Sequence, residues 1–421
     1  MTRKLVVCCD GTWNKPRDET NVYRTYKFLQ GRLKSQREVP GSKDGWCYCE
    51  GKASDGSEVV LYYDKGVGTG FGELVRGGAF GQGLSDNVRD AYHFLAHHHR
   101  PGDAVYVFGF SRGAYTARSL CGFINRMGGL LENPSESDVK RAYLQAYALN
   151  SEVVGRPEGM SLGDAIARLK GRLADLVGPD IDDFPRRAVT VRFVGVYDTV
   201  GALGVPIPSA DRINRVIVGF HDTDFCPIVE HGVQALAVDE QRGPYAPTLW
   251  SLPQSGSLGP GQSCLQVWFP GVHSDIGGGY GDKGIGNITL DFMLRRAAEH
   301  GLVIDEAQPL PSLDLERLPN QHDSLDGLWD KVGRLFPGEI KRLRPIGNVA
   351  RAQQQDHRPE AAGREMLHAS LVERLGQQVR VVEETDGAPK VRSVPYLPTN
   401  LGWSREEILA GAGLPVFREG A

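Results

Sequence analysis

The feature that most restricts what this chain can fold into is the stretch Ala104–Leu120, AVYVFGFSRGAYTARSL. Ala104 to Phe110 carry no charge and are rich in β-branched and aromatic residues, which suits a buried strand. The run stops at Ser111, and from Arg112 to about Arg126 the apolar spacing is helical. Gly109 and Gly113 stand two residues either side of the serine. The result is a G-x-S-x-G pattern in the context it requires, a strand before and a helix after. Such a turn strains the serine backbone, and the glycines remove side chains that would collide with the neighbouring strand and helix. Either the turn needs small residues for packing alone, or Ser111 is held up for nucleophilic attack.

The rest of the chain alternates in the same way. Lys4–Cys9, Glu58–Tyr63, Val189–Tyr197 and Cys264–Phe269 read as strands. Helices are expected from a Ser85 cap to about His99, and over Ser137–Asn150, Ser161–Val177, Ile228–Val238 and Asn287–His300. The glycine-rich run Gly66–Gly83 reads as a loop, and residues 305–325 and 345–365, rich in Pro, Gln, Asp and Arg, as loops or a loose cap. Strands alternating with helices predict an α/β fold with a mostly parallel central sheet flanked by helices.

In open α/β sheets, ligands bind beyond the carboxyl ends of the strands. The residues delivered there are Asp10, Gly11 and Thr12 from the first strand, Ser111, Asp198, and His273. A serine hydroxyl needs a base in hydrogen-bond reach, and the base needs an acid to fix its tautomer. The chain order Ser111…Asp198…His273 is that of the α/β-hydrolases. Asp239 is the reserve acid, and His231 and His221 compete with His273. An oxyanion hole would draw on the Arg112 N–H and on Gly11 or Thr12. Asp10 and Asp275 either orient nearby loops or share a cation such as Ca²⁺. No Cys/His ligand set accompanies them, so catalytic zinc is not expected. His97–His98–His99 point different ways from one helix and do not form a metal site. The Gly66–Gly83 run lacks the phosphate-cradle motifs.

Bulk properties agree. The 421 residues are 40% hydrophobic and 24% charged, with a net charge of −4. No basic block favours nucleic acid as a partner. Seven irregularly spaced cysteines fit reduced thiols. The apolar run of MTRKLVVCCDGTW is too short for a signal peptide and ends at Asp10, and no stretch reaches transmembrane length. Synthesis in the cytoplasm is expected, with export only by a signal-independent route.

The segments CCDGTWN, GFSRGAYTAR, VYDTVGALG, ALAVDEQRGPY and WFPGVHSDIGGGY occur in this order, followed by HASLVERL and YLPTNL. Together they resemble the α/β-hydrolase family catalogued as domain of unknown function 2235. Its best-understood members are phospholipase effectors of bacterial type VI secretion. The resemblance, over residues 4–400, implies one elaborated domain across 1–400: a core in 1–130 and 185–305, a cap insertion at 131–184, a loop-rich extension at 305–400, and a tail at 401–421. It implies a triad of Ser111, Asp198 and His273 and hydrolysis of phospholipid acyl esters without an obligatory cofactor. It further implies peripheral membrane contact and, for a delivered effector, an immunity protein as partner. The alternatives are a soluble-ester esterase, thioesterase or amidase on the same scaffold, or a binding module without catalysis.

Overall fold

The computed structural model describes residues 2–11, 18–40, 46–66, 79–148, 184–201, 223–253, 255–304, 318–325, 343–347, 363–385 and 388–419. In chain order the elements are β1 (Lys4–Cys9), α1 (Asn21–Gln30), β2 (Lys34–Pro40), β3 (Trp46–Lys52), β4 (Glu58–Asp64), α2 (Ala79–His98), β5 (Ala104–Phe110), α3 (Arg112–Arg126), β6 (Leu130–Leu131), α4 (Glu136–Ala148), β7 (Arg186–Arg187) and β8 (Val191–Tyr197). They continue with β9 (Val229–Ala237), β10 (Ser263–Phe269), α5 (His273–Gly277), α6 (Gly284–Glu299), β11 (Gln321–His322), β12 (Arg364–His368), α7 (Ala369–Arg374), β13 (Gln378–Glu383), β14 (Lys390–Pro395), α8 (Arg405–Leu409) and β15 (Val416–Phe417).

Ten strands form one sheet in the order β15-β12-β10-β9-β8-β5-β1-β4-β3-β2. All neighbours from β15 to β4 run parallel, and β3 and β2 close that edge antiparallel. This is the mostly parallel α/β sheet that the alternating pattern predicts, and it agrees with the α/β-hydrolase-like fold that the resemblance implies. Alternate residues of a strand point to opposite faces, and β1 shows it. Leu5, Val7 and Cys9 join the core under α2 and α3, while Val6 and Cys8 join the core under α1 and α6. A third cluster gathers around Trp268, Leu367 and Leu371 near the β15 edge.

After β1 the chain moves to one side to build β4, then crosses back to place β5 on the other side. The order therefore reverses at β1/β5, where crevices form in open sheets. Register aligns the strand ends, with Cys9 opposite Gly109, Phe110 opposite Tyr197, and Tyr197 opposite Ala235. Asp10, Ser111 and Asp198 thus leave the sheet along one edge.

Three expectations change. Residues 229–237 are a strand, not part of a helix at Ile228–Val238. β9 lies between β8 and β10 and is buried from Gly232 to Ala237. A strand covered on both faces loses its period-2 pattern, and here the buried Gln234, bonded to Gln266 and the Thr248 carbonyl, also interrupts the apolar run. Helix α2 starts at Ala79, so Ser85 is inside it rather than its cap, and Gly81 and Gly83 are carried in the helix despite their low propensity. The expected loop-rich extension and tail also supply β12 and β15 to the main sheet and a second sheet, β11-β13-β14. Short strands with polar members such as Arg364 and Glu365 leave little trace in periodicity. The helix expected at Ser161–Val177, and residues 67–78 of the glycine-rich run, lie outside the described residues.

Candidate active site

Ser111 joins β5 to α3 with φ 58° and ψ −121°, in a region that costs a non-glycine residue about 1–3 kcal/mol. Its N–H donates to the Tyr197 carbonyl oxygen at 3.0 Å, which ties the turn to β8. The glycines make the turn fit. A β-carbon on Gly109 would stand 2.5 Å from the Gly113 carbonyl oxygen, and one on Gly113 would stand 2.2 Å from that of Cys9.

His273 opens the short helix α5 beyond β10, and its Nε2 lies 2.9 Å from Ser111 Oγ. Its Nδ1 lies 2.6 Å from Asp198 Oδ2. Ser111, His273 and Asp198 are all buried, and Asp198 is fully so. Burial holds the imidazole below its ordinary pKa against the opposing pull of Asp198, so it stands neutral with an acceptor at Nε2. Burial by itself would raise the Asp198 carboxyl. Arg344 and the hydrogen bonds from His273 and Arg344 outweigh it and hold the group well below the usual carboxylate range.

Arg344 reaches Asp198 with both arms, Nη1 to Oδ1 at 2.6 Å and Nη2 to Oδ2 at 2.9 Å. The Ala237 N–H donates to Oδ1 at 2.9 Å. The carboxylate therefore accepts two hydrogen bonds on each oxygen. A second ion pair braces the histidine backbone. Arg242 closes on Glu240 through Nε and Nη2, at 2.9 and 2.7 Å, and Glu240 Oε2 accepts the His273 N–H at 3.2 Å. The Arg242 guanidinium lies over the Tyr245 ring, and Tyr245 meets the His273 ring edge-on at 4.9 Å.

The other candidates stand elsewhere. Asp239 accepts the Gly271 N–H at 2.6 Å and the Tyr396 hydroxyl at 2.9 Å. His231 lies 2.8 Å from Ser263 Oγ and stacks on His300, near the opposite ends of β9 and β10. His221 is outside the described residues. Asp10 accepts from the Gly11 N–H, the Thr20 hydroxyl and the Tyr63 hydroxyl at 2.7–2.9 Å. The Gly11 amide is thus engaged by Asp10, while Thr12 is outside the described residues. Asp275 accepts the Val272 and His322 N–H groups and lies 2.6 Å from His322 Nδ1. Asp10 and Asp275 share none of these partners. Among the described residues, no three His, Cys, Asp or Glu side chains are grouped to hold a metal ion, and no helix is long and apolar enough to cross a membrane. None of the seven cysteines, all of them described, is in a disulfide.

Arg344, Glu240, Arg242 and Tyr245 are the site residues that strand-end reasoning misses. Glu240, Arg242 and Tyr245 belong to the segment ALAVDEQRGPY, directly after β9. Had residues 229–237 been read as a strand, that segment would have joined the strand-end residues. Arg344 lies in a stretch of weak periodicity and carries no comparable signal.

Known proteins match this chain at several levels. Over 277 residues it is 28% identical to an uncharacterized protein of Saccharomyces cerevisiae, covering 59% of this chain and 34% of that one. An uncharacterized protein from Pseudomonas aeruginosa matches 71% of this chain and 46% of its own, at 18% identity and TM-score 0.34. The Tle1 effector bound to the VgrG spike of the type 6 secretion system matches 68% of this chain and 52% of its own, at 18% identity and TM-score 0.28. A butyrate-bound thermophilic esterase from Thermogutta terrifontis matches 72% of this chain and 86% of its own, at 12% identity and TM-score 0.33. The chain thus spans about a third of the yeast relative and about half of the first two of these structures. Residues 3–296 match the family model for the type VI secretion phospholipase effector Tle1-like catalytic domain. The match takes in Ser111, Asp198 and His273 and well over half of the chain, and the chain belongs to that family.

Proposed function

We propose that this chain is a serine hydrolase that cleaves carboxylic esters through Ser111, His273 and Asp198, with the acyl esters of phospholipids as its substrate. Membership of the Tle1-like phospholipase family supports a lipase or esterase activity. The observation that carries the assignment of Ser111, His273 and Asp198 is the unbroken line from Ser111 Oγ through both nitrogens of His273 to Asp198, and the phospholipid substrate is inferred from the family alone.

In this reading, His273 Nε2 takes the Ser111 proton as Oγ attacks the acyl carbonyl carbon. The carbonyl oxygen becomes an oxyanion, held by the Arg112 N–H at the start of α3 and by a second amide, for which Thr12 is the candidate. The tetrahedral centre collapses and the carbon–oxygen bond to the leaving alcohol breaks. That alcohol receives the proton from His273, and an acyl ester remains on Ser111. Water, deprotonated by His273, attacks this ester. The proton returns to Ser111 Oγ as the carboxylic acid departs. Asp198 holds the Nδ1 proton in place and stabilises the imidazolium in both halves.

The test compares wild-type protein with Ser111→Ala on short nitrophenyl esters and on mixed phospholipid micelles, with fatty-acid release as the readout. Turnover of both substrates, lost in Ser111→Ala, is the expected result. Equal activity in the two proteins would overturn the assignment of Ser111. Nitrophenyl turnover without fatty-acid release would reassign the enzyme to soluble esters.

A further inference from the structure

We infer that Arg344 is a positioning residue for the Ser111 reaction, which orients the Asp198 carboxylate and keeps His273 available as the base at neutral pH. The inference rests on the roles proposed above for Ser111, His273 and Asp198.

Arg344 lies beyond residue 296, where the family match ends, and 146 residues from Asp198 in the chain. It is nevertheless buried against the site, 3% exposed. Its guanidinium is located from several sides. Besides the fork onto Asp198, Nη1 donates to the Ala237 carbonyl oxygen at 2.9 Å and Nη2 to that of Tyr245 at 2.6 Å. Its own carbonyl accepts Asn400 Nδ2 at 3.1 Å, and Asn400 also bonds the Val238 carbonyl at the end of β9. The guanidinium is thus fixed by several partners, and its two arms hold both oxygens of the carboxylate.

The chemical consequence follows from a shared atom. Asp198 Oδ2 receives both Arg344 Nη2 and His273 Nδ1. A buried carboxylate beside an imidazole with no other cation would draw a proton into the pair. Whether that proton is written on the imidazole or on the carboxyl, the pair titrates as a unit, and Nε2 is lost as an acceptor in its working tautomer. Arg344 supplies the positive charge in place of that proton. Among the described residues, the other charges facing the pair, Glu240 and Arg242, form an ion pair with each other, and Tyr245 and Phe110 present rings to His273. Arg344 is thus the net cation at Asp198 among the described residues.

The experiment measures the pH dependence of Ser111 labelling by a small fluorophosphonate, and of kcat/KM on a short nitrophenyl ester. The proteins are wild type, Arg344→Gln, Arg344→Lys, Asn400→Ala and Ser111→Ala. In Arg344→Gln the acid limb should move up by roughly one pH unit or more, with a rate loss below the limb of about tenfold per unit and little change in KM. Arg344→Lys should restore the limb towards wild type. An unshifted limb in a folded Arg344→Gln, with Ser111→Ala inactive, would overturn the role of Arg344 and leave the Ser111 reading intact. Activity or labelling of Ser111→Ala equal to wild type would overturn that reading itself. If Arg344→Gln does not fold, Asn400→Ala decides. A limb shifted upward supports the inference, and a wild-type limb overturns it.

Discussion

Gly113 packs against the end of β1 so closely that a β-carbon there would stand 2.2 Å from the Cys9 carbonyl oxygen and 2.4 Å from that of Asp10. Backbone, not a flexible side chain, occupies the space. Gly113→Ala must therefore displace α3 or β1, at a cost of about 1–3 kcal/mol by analogy with overpacked cores. We expect a lowered melting temperature together with loss of fluorophosphonate labelling at Ser111. Retained labelling at wild-type rate would show that the turn tolerates the shift.

Asp198→Asn keeps the shape of the site and removes the charge that fixes the histidine tautomer. On the proposed mechanism, activity should fall by about 10⁴-fold. The buried Arg344 would also lose its counter-charge, so stability should fall as well. Ester turnover and urea unfolding measure the two effects separately.

In the proposed mechanism His273 must be neutral to accept the Ser111 proton. Burial holds His273 below its ordinary pKa of 6.5 despite Asp198. Activity should therefore be level at neutral pH and decline only as pH falls through a value below 6.5. A pH profile of kcat/KM whose acid limb lies above 6.5 would contradict this environment.

Asp239 contributes a pH effect of opposite sign. Burial raises its carboxyl from 3.8 to about 7, against hydrogen bonds from Gly271 and Tyr396 that favour the charged form. The folded state thus holds this proton more tightly than the unfolded state. Its contribution to stability is full below about 4, declines as pH rises, and is lost above about 7. Asp239→Asn should flatten the dependence of the urea midpoint on pH across this window. An unchanged slope would mean that Asp239 is charged in the folded protein throughout.

Glu365 Oε1 accepts both Trp268 Nε1 at 2.9 Å and the Gly347 N–H at 3.0 Å. It links β10, β12 and the segment that carries Arg344. Glu365→Ala leaves two buried donors without an acceptor, at about 1–3 kcal/mol each. We expect a lower urea midpoint and reduced ester turnover, with the turnover loss traced to a looser Arg344.

The sequence by itself determined the parts of this protein that are local. A charge-free run stopping at Ser111 between two glycines can make a strand, a strained turn and a helix, because collision limits and hydrophobic period act over a few residues. The same logic read β1, β5, β8 and β10 and put Asp198 and His273 at strand ends. The tertiary structure decided the rest. β9 is a strand because neighbours cover both its faces, and that erased the alternation that would have marked it. Arg344 is at the site because chain distant in sequence folds back to return a cation to a buried carboxylate. An ion pair over 146 residues leaves no period, spacing or propensity to read. It exists only because burying the charge of Asp198 in a low-dielectric interior demands a partner, and the fold alone chooses which residue answers.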